Sequence, residues 1–134
     1  MTTLARKNVV VTDAFGALGA VTAQAAARFG ARVALLDRTP HAPPGFIKAC
    51  DSGASKSGVH RLTESLAEEL KDTGITVNAV LPSIIDTPAN RADMPQADFS
   101  KWVTPQALAD VILFLASDVS QAITGALLPV TGRV

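Results

Sequence analysis

The sequence predicts an α/β fold in which parallel strands are connected by helices. Short apolar runs rich in β-branched residues alternate with longer amphipathic stripes, which is the pattern of successive β-α-β units. Glycines end several of these segments, and Ser, Thr or Pro precede others, as is usual at helix ends and turns. With 134 residues, 48% of them hydrophobic, the chain is long enough to form one globular domain.

Residues 1–38 are predicted to form the first β-α-β unit. The apolar run Asn8–Val11 predicts a buried parallel strand, and apolar residues at helical spacing follow it until Gly30, where a helix would end. Arg32–Leu36 predicts the second strand, which ends at Asp37. We expect a right-handed crossover between the two strands.

Residues 39–51 are rich in proline and lack periodicity, so they are predicted to be a connector. Residues 52–134 complete the single predicted domain, 1–134.

The first element expected in this part is a helix with an apolar stripe from Val59 to Leu70, which is capped at Asp51 or Ser52 and ends at Gly74. A strand, Thr76–Leu81, and a loop, Pro82–Val103, are expected to follow it. The last two elements are a helix that begins at Thr104 and Pro105 and a strand, Ala126–Val130.

Composition excludes several classes of function. The 12 basic and 12 acidic residues are scattered, so the sequence predicts no nucleic-acid partner and no membrane partner. Cys50 is the only cysteine, which excludes an internal disulfide and a multi-cysteine metal site, and we expect no metal. Because Met1 to Lys7 lacks an apolar signal segment and no apolar run is long enough to span a bilayer, a cytoplasmic protein is expected.

A glycine-bearing turn between the first strand and the first helix predicts a dinucleotide site. Thr12, Gly16, Leu18 and Gly19 lie where the backbone must approach a pyrophosphate at a helix N-terminus. Asp37, at the end of the next strand, would accept hydrogen bonds from the ribose hydroxyls and repel a 2′-phosphate, which favours NAD over NADP. Asp13 stands at the position of a first glycine and would compete with the anion.

Together with this turn and Asp37, the segments Ala54–Val59 and Val77–Thr87 make the chain resemble the short-chain dehydrogenase/reductase (SDR) family. The resemblance implies a three-layer Rossmann-like sandwich. It also implies that Pro82, Ile85 and Thr87 contact the nicotinamide end of the cofactor. The expected substrate is a small alcohol or carbonyl compound, and the expected assembly is a homo-oligomer that pairs through the helix ending at Leu70.

The catalytic centre that the resemblance implies is incomplete in this chain. The family places a tyrosine one helical turn before a lysine, which holds the nicotinamide ribose and lowers the tyrosine pKa. Lys56 matches the lysine, but Ser52 occupies the tyrosine position, and the chain contains no tyrosine. A serine nucleophile activated by Lys56, or a reactive Cys50, is an alternative. The simpler interpretation makes Ser52 a helix cap and Cys50 a small apolar residue.

The stretch between Arg38 and Gly53 is too short for the family's third, fourth and fifth strands, and the catalytic serine and the asparagine turn have no match. The remaining strands are expected to form a reduced, mainly parallel sheet of about four strands, ordered 2-1-6-7 in family terms. The sequence therefore predicts a shortened, catalytically impaired NAD(P)-dependent oxidoreductase homologue that retains NAD binding. The alternatives are a non-catalytic dimerising or scaffold module, and a truncated or engineered minimal Rossmann domain without activity.

Overall fold

The computed structural model describes residues 3–12, 14, 16–36 and 53–134, with only the backbone for Leu36 and for residues 53–58. Strands and helices alternate along the chain. In order they are β1 (Asn8–Thr12), α1 (Ala17–Arg28), β2 (Arg32–Leu36), α2 (Gly53–Leu70), β3 (Ala79–Pro82), α3 (Pro88–Asp93), α4 (Pro105–Leu115) and β4 (Leu127–Val130). The predicted α/β class and its parallel strands are confirmed.

The strands form two parallel pairs. β1 pairs with β2, with Asn8 opposite Arg32, and β3 pairs with β4, with Ala79 opposite Leu127. These are the outer pairings of the expected order 2-1-6-7. In the described part of the chain, however, β1 and β3 do not hydrogen-bond to each other, so the strands form two small sheets instead of one continuous sheet of four.

Packing of α1 against α4 joins the two halves of the chain. Leu113 of α4 is buried in one cluster with Leu4, Ala25 and Ala26, which joins the two halves of the chain. Ile112, beside it, lines cavities next to both β1 and β3, so α4 lies beneath the gap between the pairs. The sequence has no match for the strands that the resemblance would place between the two pairs, which accounts for the gap.

Strand β1 is buried on one face only, which differs from the fully buried strand that the sequence suggested. Val9 and Val11 pack against the α1 side, while Val10 between them is 61% exposed. Successive side chains of a strand point to opposite faces, so Val10 marks the opposite face. No element among the described residues covers Val10 in the way that α1 covers Val11.

Most element ends agree with the sequence. Gly30 and Gly74 have φ values of 92° and 76°, the left-handed conformation that commonly ends a helix. Strand β3, in contrast, begins three residues later than predicted. The Asn78 side chain bonds the Ile123 carbonyl at 2.9 Å and the Ala126 N–H at 3.0 Å, and so replaces the backbone ladder at that point.

The segment predicted as a loop, Pro82–Val103, contains a short helix. Thr87 caps α3 by accepting a hydrogen bond from the Asn90 N–H at 3.2 Å, and Pro88 occupies the first turn. The same Thr-Pro pair starts α4, where Thr104 accepts from the Ala107 N–H at 3.1 Å. Within the described ranges, no helix is long and apolar enough to cross a membrane.

Candidate functional site

The N-terminus of α1 begins at a residue that has no side chain to cap it. Gly16 is the N-cap residue, in an extended conformation, and among the described residues no side-chain cap is present. The first four N–H groups of a helix have no partner within the helix, and the helix dipole adds partial positive charge there. The first intrahelical bond joins the Ala20 N–H to the Gly16 carbonyl. Within the described part of the chain, the turn therefore presents backbone donors that no cap satisfies, and such donors fit a phosphate group.

Three of the predicted phosphate-binding residues lie together beside this helix end. Thr12 ends β1, and Leu18 and Gly19 belong to the first turn of α1; all three line a cavity of about 290 Å³. Thr22, one turn further along, lines the same cavity. Its Oγ1 atom is buried and has no hydrogen-bond partner among the described residues.

The segment after β3, from Pro82 to Thr87, is held by backbone and side-chain hydrogen bonds. Pro82 is the last residue of β3, and Ile85 pairs with Val103 in an isolated parallel bridge. The Asn90 side chain donates to the Ile85 carbonyl at 2.7 Å. Thr87 is fixed as the cap of α3. The backbone on which the resemblance places the nicotinamide contacts is therefore held by hydrogen bonds within the protein.

An ion pair strengthens this segment from the solvent side. The Arg91 guanidinium binds both carboxylate oxygens of Asp86, at 2.5 and 2.7 Å, a bidentate geometry that favours the ionised acid. This hydrogen bonding holds the pKa of Asp86 below its ordinary range. Arg91 also lies 4.8 Å from the centre of the Phe99 ring, which in turn packs on the buried Trp102. The pair is anchored to the core through these rings.

A second cavity, of about 550 Å³, lies between α2 and the free edge of β3. Its volume falls in the range of small-molecule sites. Val59 and His60 line it from α2, and Ser83 and Asn90 line it from the opposite side. The His60 side chain is half-buried and lines this cavity. Among the predicted site residues on α2, only Lys56, four residues before His60, indicated that this region belongs to a site.

The remaining predicted site residues are only partly described. Lys56 lies in the first turns of α2, and its side chain is not described. Ser52, Asp37 and Asp13 lie outside the described residues. The structure thus brings Thr12, Leu18 and Gly19 together at one cavity. It places Pro82 and Ile85 at another, with Thr87 close by in sequence, and gives no direct contact between the two groups.

Comparison with known proteins decides the family. The model of a family described as enoyl-(acyl carrier protein) reductase matches residues 48–132, more than half of the chain. The chain belongs to the short-chain dehydrogenase/reductase family. It is shorter than full-length SDR proteins.

Similar SDR proteins come from bacteria and mammals. A galactitol 2-dehydrogenase of Rhizobium johnstonii is 42% identical over 86 residues, which is 57% of this chain and 34% of the relative. A 3-oxoacyl-[acyl-carrier-protein] reductase of Thermotoga maritima is 38% identical over 87 residues, 59% of this chain and 35% of the relative. A (3R)-3-hydroxyacyl-CoA dehydrogenase of Canis lupus familiaris is 39% identical over 97 residues, 66% and 37% of the two chains. The matched part thus spans about a third of the length of these SDR relatives.

Solved structures confirm the fold. A Beutenbergia cavernae protein assigned as an NAD(P)-dependent gluconate 5-dehydrogenase, with NADP bound at low occupancy, superposes with a TM-score of 0.79 at 20% identity, covering 97% of each chain. An Agrobacterium tumefaciens protein assigned as a 2-deoxy-D-gluconate 3-dehydrogenase, with bound NADP, gives 0.80 at 18% identity, covering 97% of this chain and 96% of the other. The two separated strand pairs therefore belong to an SDR-type Rossmann fold.

Proposed function

We propose that this SDR chain binds a nicotinamide dinucleotide and has little or no dehydrogenase turnover. The observation that carries the proposal is the uncapped N-terminus of α1, where Gly16 leaves the backbone donors of the first turn free. An anion is the natural partner of such a group of donors. The matched relatives are dehydrogenases and reductases, and both superposed structures contain NADP.

In this proposal, each predicted residue has a defined place. The first turn of α1, with Thr12, holds the pyrophosphate, and Asp37 holds the adenosine ribose and selects NAD. Ile85 and Thr87 hold the nicotinamide end, and Lys56 holds its ribose. A bound nicotinamide supplies hydride transfer. The chain supplies binding and orientation for that group.

Impaired turnover follows from the missing acid-base group. The chain has no tyrosine, and Ser52 stands at the position that the family gives to it. A serine alkoxide is far less accessible than a phenolate, and loss of a general acid-base group typically costs a factor of about 10²–10⁴.

Calorimetric titration of the full chain with NADH and, separately, NADPH tests this function. We expect saturable binding of NADH that weakens at least about tenfold in Asp37→Ala, since one charged contact to the ribose is lost. Asp72→Ala, an exposed acid between α2 and β3, is the matched control and should bind as the native chain does. Absence of saturable binding to either dinucleotide contradicts the proposal, and tighter binding of NADPH contradicts the preference for NAD.

Turnover is measured separately with small alcohols and NAD, by absorbance at the nicotinamide wavelength. We expect no rate above the uncatalysed reaction in the native chain, even at saturating dinucleotide. Ser52→Tyr returns the missing phenol near Lys56, and a measurable rate in this variant supports lost acid-base chemistry as the defect. A native rate comparable to those of ordinary dehydrogenases, around 1–10³ per second, contradicts the impairment.

A second candidate function is a dimerising module. Its observation is the exposed apolar side chains of α2, where Val59 and Leu62 are each 56% exposed. Apolar side chains on one helix face commonly mark an association surface. Sedimentation of the native chain and of a Val59→Ser, Leu62→Ser double variant tests it. A concentration-dependent dimer that the double variant abolishes supports the module, and a native monomer at all concentrations contradicts it.

A further inference from the structure

A tight turn follows β4 and packs on the segment that precedes α4. It comprises residues 131–134, named the closing turn, and the Val134 N–H donates to the Thr131 carbonyl at 3.4 Å. The Arg133 N–H donates to the Lys101 carbonyl at 3.0 Å. The closing turn is therefore attached by its backbone to a part of the chain that lies outside its own strand pair.

Gly132 makes the closest approach in this contact. Its φ is 64°, and a Cβ atom added to it would lie 2.6 Å from the Lys101 carbonyl oxygen and 3.3 Å from Cγ2 of Val103. A real Cβ atom essentially never lies so close to another heavy atom, and a backbone oxygen cannot swing aside as the end of a long side chain can. Any larger residue at position 132 would therefore displace the closing turn or the backbone of Lys101.

The segment that receives this contact is already closely packed. Val103 is 3% exposed and Trp102 is 6% exposed. The Phe99 ring packs on Trp102, with the ring centres 4.8 Å apart. Because a close-packed interior has few voids to absorb a displacement, a shift at Lys101 would be passed on to its neighbours.

Val103 carries such a shift to the segment that follows β3. Its N–H donates to the Ile84 carbonyl at 3.0 Å, and its carbonyl accepts from the Asp86 N–H at 2.8 Å. Ile85 is paired with Val103 between these two hydrogen bonds. The residue that Gly132 would press with an added Cβ is thus the residue that holds Ile85 in place.

A second link joins the closing turn to the same segment. The Ser83 hydroxyl donates to the Thr131 carbonyl at 2.7 Å, and the Ser83 N–H donates to the Val130 carbonyl at 3.2 Å. Ser83 lies immediately before Ile84. The segment is therefore tied to the closing turn at its beginning through Ser83, and further along through Val103.

From these contacts we propose that the closing turn positions the backbone of residues 84–87 for the nicotinamide end of a dinucleotide, with Gly132 as the positioning residue. This proposal rests on the proposed function, in which Ile85 and Thr87 hold that end. Gly132 does not itself touch the ligand. It fixes how far the closing turn approaches Val103, and so fixes the place of the segment.

The two ends of a dinucleotide should respond differently to a change at Gly132. In the proposed function, the pyrophosphate lies at the first turn of α1, which begins at Gly16 on the other strand pair. Among the described residues, no backbone hydrogen bond joins the closing turn to that helix end. ADP-ribose, which lacks only the nicotinamide, should therefore bind independently of Gly132, whereas NADH should not.

Hydrogen exchange in the ligand-free chain tests the mechanical part of the proposal. We expect the Asp86 amide to exchange at least about fivefold faster in Gly132→Ala, because its bond to Val103 is disturbed. Gly74→Ala is the matched control: φ is 76° there, so the conformational cost is similar, but no described atom lies within 4 Å of an added Cβ. An unchanged Asp86 amide in Gly132→Ala, or equal changes in both variants, overturns the proposal.

Calorimetric titration with NADH and with ADP-ribose tests the binding part. We expect the native chain to bind NADH at least about fivefold more tightly than ADP-ribose, since the nicotinamide adds hydrogen-bonded contacts. In Gly132→Ala, the affinity for NADH should fall about fivefold or more while that for ADP-ribose stays within about twofold. Gly74→Ala should bind both ligands as the native chain does. Equal losses for both ligands in Gly132→Ala mean a general loss of structure and overturn the positioning role.

Two substitutions of Ser83 test the second link without adding an atom to the contact at Gly132. Ser83→Ala removes the bond to the Thr131 carbonyl, and we expect about two- to threefold weaker binding of NADH with unchanged binding of ADP-ribose. Ser83→Thr keeps the hydroxyl and should restore the native affinity. This pair decides the proposal if Gly132→Ala is not folded by circular dichroism, and native affinity for NADH in Ser83→Ala overturns it.

Failure of the proposed function gives a different result from failure of this inference. If the native chain binds neither NADH nor ADP-ribose, the dinucleotide site is absent and both proposals are overturned. If the native chain binds the two ligands equally, the nicotinamide end is not held, and the positioning role alone is overturned.

Discussion

The two halves of the site are built in different ways. At the amino-terminal half, Gly16 begins α1 without a side-chain cap among the described residues, so the backbone donors of that turn are not satisfied by such a cap. At the carboxy-terminal half, Thr87 caps α3 and Asn90 bonds the Ile85 carbonyl, so the polar groups are already paired within the protein. The comparison teaches that the first half offers hydrogen bonds to a ligand, whereas the second offers a fixed shape.

The largest expected effect comes from the contact that joins the halves. Leu113 is 2% exposed and packs with Leu4, Ala25 and Ala26. We expect Leu113→Ala to lower the free energy of unfolding by about 2–5 kcal/mol, measured by chemical denaturation. Phe114→Ala, at a neighbouring residue that is 38% exposed, should cost much less. Similar losses in the two variants would mean that α4 is not anchored to α1 through Leu113.

A side-chain cap placed on α1 would make the first half resemble the second. We expect Gly16→Asp to stabilise the ligand-free chain slightly and to weaken dinucleotide binding by at least about tenfold, because the new carboxylate occupies the donors and repels phosphate. Thermal unfolding and calorimetric titration measure the two effects. Gly16→Asn adds a neutral cap, and a similar loss of binding in both variants would point to steric blockage without a charge effect.

Removal of the cap on α3 makes the opposite change. Thr87→Ala should lower the free energy of unfolding by about 1 kcal/mol, through loss of the hydrogen bond from the Asn90 N–H. Thr104→Ala removes the matching cap on α4 and should cost about as much. If only Thr104→Ala destabilises the chain in denaturation experiments, then α3 is not held by its cap.

The smallest expected effect concerns the ion pair of Asp86 and Arg91. The folded-state pKa of Asp86 is lowered by its hydrogen bonds from Arg91. The stabilisation is therefore present above the ordinary pKa of an aspartate, near pH 4, and is lost as the pH falls through the lowered value. We expect the difference in melting temperature between the native chain and Asp86→Asn to be small at pH 7 and to shrink below pH 4. A constant difference across that range would contradict this linkage.

The positions of helices and strands can be predicted from the sequence where local signals and periodicity agree. Arg32–Leu36 and the start of α4 are predicted to the residue, because a short apolar run and a Thr-Pro pair are local features. Helix α3 was missed, although Thr87 and Pro88 carry the same signal, since six residues are too few to show a periodic stripe. The late start of β3 depends on Asn78, whose partners lie 45 and 48 residues away and leave no local signal.

The separation of the strand pairs and the position of His60 were also beyond sequence reasoning. The position of His60 beside β3 depends on residues that are distant in sequence, since the cavity that it lines is completed by residues 79–90. The glycine-bearing turn between β1 and α1 was easier to predict from the sequence, because its glycines lie between a strand and a helix. Its assignment to a dinucleotide stays a prediction, as do the roles of Lys56, Asp37 and Thr87.

The hydrogen bonds of Asn78 also affect how the chain gains its structure. One side chain joins the start of β3 to both sides of Gly125, and so closes the β3-α4-β4 unit on itself. All strand pairing in this unit is internal to it, since β3 pairs only with β4 among the described strands. Because α4 of this unit packs on α1 in a shared buried cluster, opening the unit would expose that cluster, and we expect the two halves of the chain to unfold together.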